Sequence, residues 1–430
     1  MALATAFLGD AKGRLLPASI PFRFFGAAIV FHLLAWLVLL AGGAQSFSGG
    51  LGLPLAALHL LTLGVLVMTA IGASLQLLPV ATRQSVGSPP VLAALWWVYT
   101  AGVALLTASM ALGWVRVLVG AAAALALSLL VYAALLARNL SRARGMTVVV
   151  VHGWAALACL VGALISGLSL GGTYLGFGVL DHGAALGLHV TLAAYGFMGL
   201  LVMGFSHILL PMFALADAPP QRASLLSAAL VVVALAAAAL AAAGWLPSWA
   251  ASGAGAVGLL GLLLHVAIMT AAMRGGMRRA LGRPLALVRV GWAALAASLV
   301  AAMAIEAGAG FERLRTLFVV LLIGGLLSFL LGVLARIVPF LAAMHAPAGK
   351  RGPPLPSALT HDRALAVYFV CHLAAFALLL LAVWADSAWL ARGAAVSGTA
   401  GALALVAFFV HAWRGMRAAP PAAAAATARA

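Results

Sequence analysis

Twelve apolar runs, each about 20 residues long, limit what this chain can fold into, because a helix of that length crosses a hydrocarbon core. The composition agrees, since 66% of the residues are hydrophobic and only 7% are charged. The sequence therefore predicts an all-α polytopic membrane protein with twelve transmembrane helices. The runs lie near residues 22–43, 53–80, 90–113, 117–138, 147–169, 184–213, 223–244, 252–274, 286–308, 314–342, 364–385 and 391–413.

The formal net charge of +17 raises the question of a nucleic-acid partner, and the positions of the charges answer it. With the N-terminus inside, all but four of the 24 Lys and Arg fall on the inner side; the four are Arg116, Arg313, Arg315 and Arg392. This is the positive-inside bias of a bacterial inner-membrane protein with both termini cytoplasmic. We therefore expect contact with the lipid bilayer, no nucleic acid, and a redox partner or an oligomer as the protein partner.

The chain is predicted to form one transmembrane domain over residues 1–417, followed by a low-complexity, disordered tail over 418–430. The first run is longer than a signal-peptide core and is interpreted as a retained span. Cys159 and Cys371 fall inside predicted spans, where they are expected to be free apolar side chains.

A repeated Gly-Gly-Pro spacing indicates internal symmetry. It occurs at Gly64, Gly72 and Pro79, at Gly196, Gly204 and Pro211, and at Gly324, Gly332 and Pro339. A second match, GWAALA, occurs at 153–158 and at 291–296. The period of four helices predicts three parallel, pseudo-symmetric repeats near residues 22–138, 147–274 and 286–413. The glycines themselves are interpreted as helix-packing residues.

Twelve spans in three repeats, with a histidine near the outer end of the second span, resemble the catalytic-subunit fold of haem-copper oxidases and nitric oxide reductases. His59 followed by IGASLQLLP at 71–79, and GFSHILLPMF at 204–213, carry the local resemblance. The spacing from His59 to Gly64 and Pro79 is also similar to the NnrS family of twelve-span haem proteins linked to nitric oxide stress. The resemblance implies bound haem, with copper as a second metal.

The chain departs from the oxidase pattern at the binuclear centre. The oxidases need histidines on spans seven and ten, yet residues 223–244 and 314–342 contain none, and Val319 aligns with His59. We therefore expect no proton-pumping oxygen reduction.

The histidines at membrane depth are the candidate ligands, because an intramembrane imidazole is costly without a partner. His59 and His189 lie at similar depth near the outer face; depending on the handedness of the bundle, they share one groove or serve two. Both are candidates for haem and for a metal ion. His182, beside Asp181 in the outer loop, is a third candidate metal ligand, alternatively a solvated loop residue.

His32 and His372 form a second candidate haem pair near mid-membrane, on spans one and eleven. His265 also lies at membrane depth and is given no partner. The histidines near the inner boundary, interpreted as snorkelling or unassigned side chains, are His152, His207, His345, His361 and His411.

The sequence thus favours a haem-binding membrane protein that acts in electron transfer or in the response to nitric oxide or metal stress. The haem is expected to be of the b type, because the chain has no CxxCH motif for covalent attachment. Two alternatives remain: a permease for a small solute, and a non-catalytic assembly subunit with structural histidines.

Overall fold

A computed structural model describes residues 16–42, 50–278, 281–309, 312–347 and 354–418; the tail predicted to be disordered lies outside these ranges, apart from Ala418. In the described ranges the regular structure is helical and contains no strand. Twelve helices are long and apolar enough to cross a membrane, which confirms the predicted spans and makes this a multi-pass membrane protein. The helices are α1 Ser19–Gly42, α2 Leu53–Thr82, α3 Pro89–Leu112, α4 Val115–Ser141, α5 Thr147–Thr173, α6 His182–Ala214, α7 Gln221–Ala242, α8 Trp249–Arg274, α9 Gly282–Glu306, α10 Glu312–His345, α11 Asp362–Ala385 and α12 Ala388–Arg417.

Three helices form the interior of the bundle. The buried share of the most apolar stretch is 67% in α2, 89% in α6 and 67% in α10, whereas it lies between 22% and 50% in the other nine. Helix α10 contacts both α2 and α6. The remaining helices therefore surround these three and present one side to lipid.

The surrounding helices pack in a regular order. Helix α1 packs on α2, α5 on α6 and α9 on α10, while α3 pairs with α4, α7 with α8 and α11 with α12. Helix α4 also contacts α5, α8 contacts α9, and α12 contacts α1, which closes the ring.

The glycines of the repeated spacing allow close approach of neighbouring helices, as the sequence predicted. A Cβ on Gly64 of α2 would lie 2.7 Å from Cβ of Phe31 in α1, and one on Gly204 of α6 would lie 2.8 Å from Cβ of His152 in α5. Gly332 of α10 faces α9 in the same way. Only a residue without a side chain fits at such separations, so these glycines are packing residues.

Helices α2 and α6 each contain a π-helical segment, which the sequence did not predict. In α2 the segment covers Leu60–Val67 and begins directly after His59; in α6 it covers Thr191–Gly199 and begins two residues after His189. Helix α10 is α-helical throughout its described length. Segments of this kind widen a helix locally and frequently mark functional sites.

Candidate functional site: grouped intramembrane histidines

His59 and His189, here called the outer pair, lie within the first eight residues of α2 and α6, at the ends that the arginine distribution predicts to be outer. Nδ1 of His59 is 3.0 Å from the carbonyl of Leu55, and Nδ1 of His189 is 3.0 Å from the carbonyl of Ala163 in α5. A carbonyl only accepts, so Nδ1 donates in both rings and each Nε2 keeps its lone pair. A histidine that binds a metal usually donates its other ring N–H to a carbonyl or a carboxylate, and this hydrogen bond fixes the tautomer and the ring orientation.

The two imidazoles of the outer pair lie within electrostatic range of one another, and both side chains are half-buried. Gly167 of α5 makes room for the second ring, because a Cβ there would lie 2.8 Å from Cε1 of His189.

His32 and His372 meet around the ring of Tyr368 in mid-membrane. Their ring centres lie 6.3 Å and 5.6 Å from the Tyr368 ring centre, respectively. Nε2 of His372 is 2.8 Å from the hydroxyl of Ser328, and the indole of Trp36 donates to Nε2 of His32 at 3.4 Å. Both Nε2 atoms are thus engaged, whereas Nδ1 of His32 and the hydroxyl of Tyr368 are buried without a hydrogen-bond partner in the structure.

A cavity of about 70 Å³ lies beside this cluster, lined by Trp36, His372 and apolar side chains of α1, α2, α10 and α11. Sites for small molecules and cofactors usually enclose about 300–1,000 Å³. The cavity is therefore too small to accept a haem without displacement of its lining.

His182 occupies the first residue of α6 and is exposed. The neighbouring carboxylate of Asp181 caps this helix, accepting from the backbone N–H of Gly183 at 3.0 Å and of Ala184 at 3.2 Å. Among the described residues, no group of three or more His, Cys, Asp or Glu is arranged to hold a metal ion. Asp181 thus acts as the N-cap of α6, and His182 is not grouped with His59 and His189 in the described part of the chain.

Three histidines that the sequence analysis did not group lie together in the inner half of the bundle. They are His152 of α5, His207 of α6 and His265 of α8, here called the inner cluster, and they are 1%, 7% and 0% exposed. The ring centres of His152 and His207 are 5.5 Å apart, and those of His207 and His265 are 5.3 Å apart. His152 and His207 do not snorkel as the sequence analysis expected, because both side chains are buried inside the bundle.

The nitrogens of the inner cluster are poorly satisfied. Nδ1 of His152 donates to Val148 at 2.7 Å and Nδ1 of His207 donates to Met203 at 2.9 Å. Both Nε2 atoms, and both nitrogens of His265, are buried without a hydrogen-bond partner in the structure. The repeated glycine spacing could have indicated this cluster. Gly204 packs against His152, and His207 lies three residues after Gly204 on the same face of α6.

Three further histidines, His345, His361 and His411, lie at or near the ends of α10, α11 and α12. The rings of His361 and His411 are 5.2 Å apart, and His411 is exposed. His345 is hydrogen-bonded through Nδ1 to Leu341 and through Nε2 to Leu16. Cys159 and Cys371 are free thiols, as predicted.

A larger cavity of about 670 Å³ lies between helices α6 to α10. Glu306 and Arg315 line it near the outer face, and Trp292 lines it deeper in the bundle. Tyr195, within the π segment of α6, also lines the cavity, and its hydroxyl is 2.8 Å from the hydroxyl of Ser298 in α9. Its size is that of a small-molecule site.

Fold and histidine placement together define a helical multi-pass membrane protein whose imidazoles occur in several groups within the helix bundle. Comparison of the chain with protein-family models and with curated protein sequences returns no match.

Proposed function

We propose that this chain is a haem-binding integral membrane protein in which His59 and His189 are the haem ligands. The arrangement of the outer pair carries the proposal: each imidazole is held through Nδ1 by a backbone carbonyl and keeps Nε2 free for a ligand. The π segments that follow both histidines support a binding role, since such segments frequently accompany function.

The donor set suits haem iron, which accepts axial imidazole nitrogen. Bound haem would supply reversible one-electron chemistry, while the protein sets access and polarity around it. Within the chain, Leu55 and Ala163 hold the two rings in the required tautomer, and Gly167 leaves space for the ring of His189. Haem of the b type is proposed because a CxxCH motif is absent from the sequence. Copper is the alternative metal at this pair.

The proposal includes an oxidase-like architecture of three four-helix repeats. Its support is the cyclic packing order, in which the fourth helix of each repeat contacts the first helix of the next. The central position of α2, α6 and α10, each the second helix of its repeat, also supports it. One difference shows that the repeats are not strictly equivalent. The first glycine of GWAALA faces Leu140 of α4 in one copy (Gly153) and Gly325 of α10 in the other (Gly291).

Placement in a bacterial inner membrane, with both termini cytoplasmic, is part of the same proposal and rests on the positive-inside bias. A role in electron transfer, or in the response to nitric oxide or metal stress, is consistent with a haem protein that lacks the oxidase ligands. Helices α7 and α10 contain no histidine at the positions of an oxidase binuclear centre. A redox partner or a second copy of the chain is the protein partner we propose.

A permease is the second candidate function, and the cavity of about 670 Å³ is the observation that favours it. The Glu306 and Arg315 side chains at its outer end would interact with a polar solute. A permease without haem would be colourless, which separates the two candidates.

The first prediction is that His59→Ala lowers the haem content or converts a low-spin spectrum to a high-spin one, because the substitution removes an axial nitrogen. His59→Leu fills the volume of the ring, so the same change in both variants indicates lost ligation rather than a cavity. His189→Ala should behave like His59→Ala, and His411→Ala should leave the spectrum unchanged. The assignment is wrong if His59→Ala keeps its haem and spectrum while His32→Ala or His372→Ala loses them.

A further inference from the structure

We propose that the inner cluster, His152, His207 and His265, binds a monovalent copper ion. The proposal concerns a different site from the outer pair and does not depend on haem binding there. It starts from four buried imidazole nitrogens that have no hydrogen-bond partner in the structure. Buried polar atoms are seldom left without a partner, so these nitrogens call for a ligand of their own.

The ring spacing matches shared coordination. A metal–nitrogen distance of about 2.0–2.1 Å places each ring centre roughly 3 Å from the ion, so two ligating rings lie roughly 5–6 Å apart. The two observed separations are 5.5 Å and 5.3 Å, and His207 is common to both. As they stand, the three rings do not enclose one point. His207 would be the shared ligand because it is common to both separations, and coordination by all three imidazoles would require one ring to turn toward the ion.

Two of the three ligands are already oriented for coordination. The carbonyls of Val148 and Met203 hold the Nδ1 protons of His152 and His207, so their Nε2 atoms are unprotonated acceptors. His265 has no hydrogen bond at either nitrogen. Its ring is accordingly free to present the nitrogen that the ion requires.

The absence of acidic residues from the three helices of the inner cluster favours a monovalent over a divalent ion. Helices α5, α6 and α8 contain no Asp or Glu between their first and last residues, so no carboxylate of these helices neutralises a bound cation. The cost of burying a charge grows with its square, which disfavours a divalent ion at this depth. Zinc also takes four ligands in structural sites, whereas the cluster supplies three imidazoles and monovalent copper is stable with two or three.

The test is copper binding by the purified full-length protein under anaerobic, reducing conditions. Protein is loaded with Cu(I), challenged with a chromogenic Cu(I) chelator, desalted and analysed for copper and zinc by mass spectrometry. We expect copper to be retained at unit stoichiometry by the wild type and by His411→Ala, which alters the other close histidine pair. His207→Ala should lose it and should still elute from size exclusion like the wild type.

A second variant distinguishes the loss of a copper ligand from misfolding. His207→Met should still retain copper, because a thioether binds Cu(I), and should elute from size exclusion like the wild type. X-ray absorption of the loaded wild type should show nitrogen ligands at imidazole distance. The proposal is overturned if the wild type retains no copper after the chelator, if it retains zinc instead, or if folded His207→Ala keeps its copper. Copper lost in His59→Ala but not in His207→Ala would place the ion at the outer pair and also overturn it.

Discussion

The role of an intramembrane histidine depends on which of its two ring nitrogens is already bonded. His59 and His189 donate through Nδ1 to carbonyls and leave Nε2 free, whereas His372 has Nε2 engaged by Ser328. The sequence predicts all three at membrane depth, because an intramembrane imidazole is a functional candidate. It could not predict which ring nitrogen is bonded, because that depends on side-chain rotation and on the neighbouring helix.

The contacts of the inner cluster could not be predicted from the sequence either. His152 is five residues from the start of α5 and His207 is seven residues from the end of α6, positions at which a long side chain often snorkels. Whether an imidazole turns outward or inward depends on the face that the helix presents to its neighbours. Gly204 directs the α6 face of His207 toward α5, and this contact was not evident from residue type alone.

At the residue scale, Gly167→Ala should displace the ring of His189. A Cβ would lie 2.8 Å from Cε1, and overpacking of this kind costs about 1–3 kcal/mol. We expect reduced haem content or a shifted spectrum, measured by difference spectroscopy. Gly120→Ala is the matched control, because a Cβ there meets nothing within 4 Å and the site is exposed on α4. An unchanged spectrum in folded Gly167→Ala would argue against ligation by His189.

At the scale of the helices, the sequence predicted twelve spans and a packing role for the glycines. Apolar length and small-residue spacing are local properties, so both predictions were accessible. The π-helical segments could not be predicted, because the amino-acid composition of a helix does not show where its turns are widened. In α2 the segment Leu60–Val67 lies between His59 and Gly72, so a helical wheel drawn for a regular α-helix misplaces the ring relative to the glycines. The hydroxyl of Tyr99 donates to the carbonyl of Leu63 within this segment at 2.9 Å.

At the scale of the whole molecule, the distribution of arginine predicts the orientation in the membrane. Val179, in the α5–α6 connection, is 86% exposed and should lie outside, whereas Ser141 at the end of α4 should lie inside. With the two native cysteines replaced by Ala, a membrane-impermeant maleimide should label Val179→Cys in intact cells. Ser141→Cys should react only after permeabilisation. The reverse labelling pattern would show that the termini are outside.

The central claim, that this membrane protein binds haem, is tested most directly by a reduced-minus-oxidised optical spectrum of the purified wild type with pyridine haemochrome quantification. We predict a Soret band, α and β bands of a low-spin b-type haem, and a haemochrome that identifies non-covalent haem. Correctly folded protein that is colourless after purification from haem-replete cells would contradict the account.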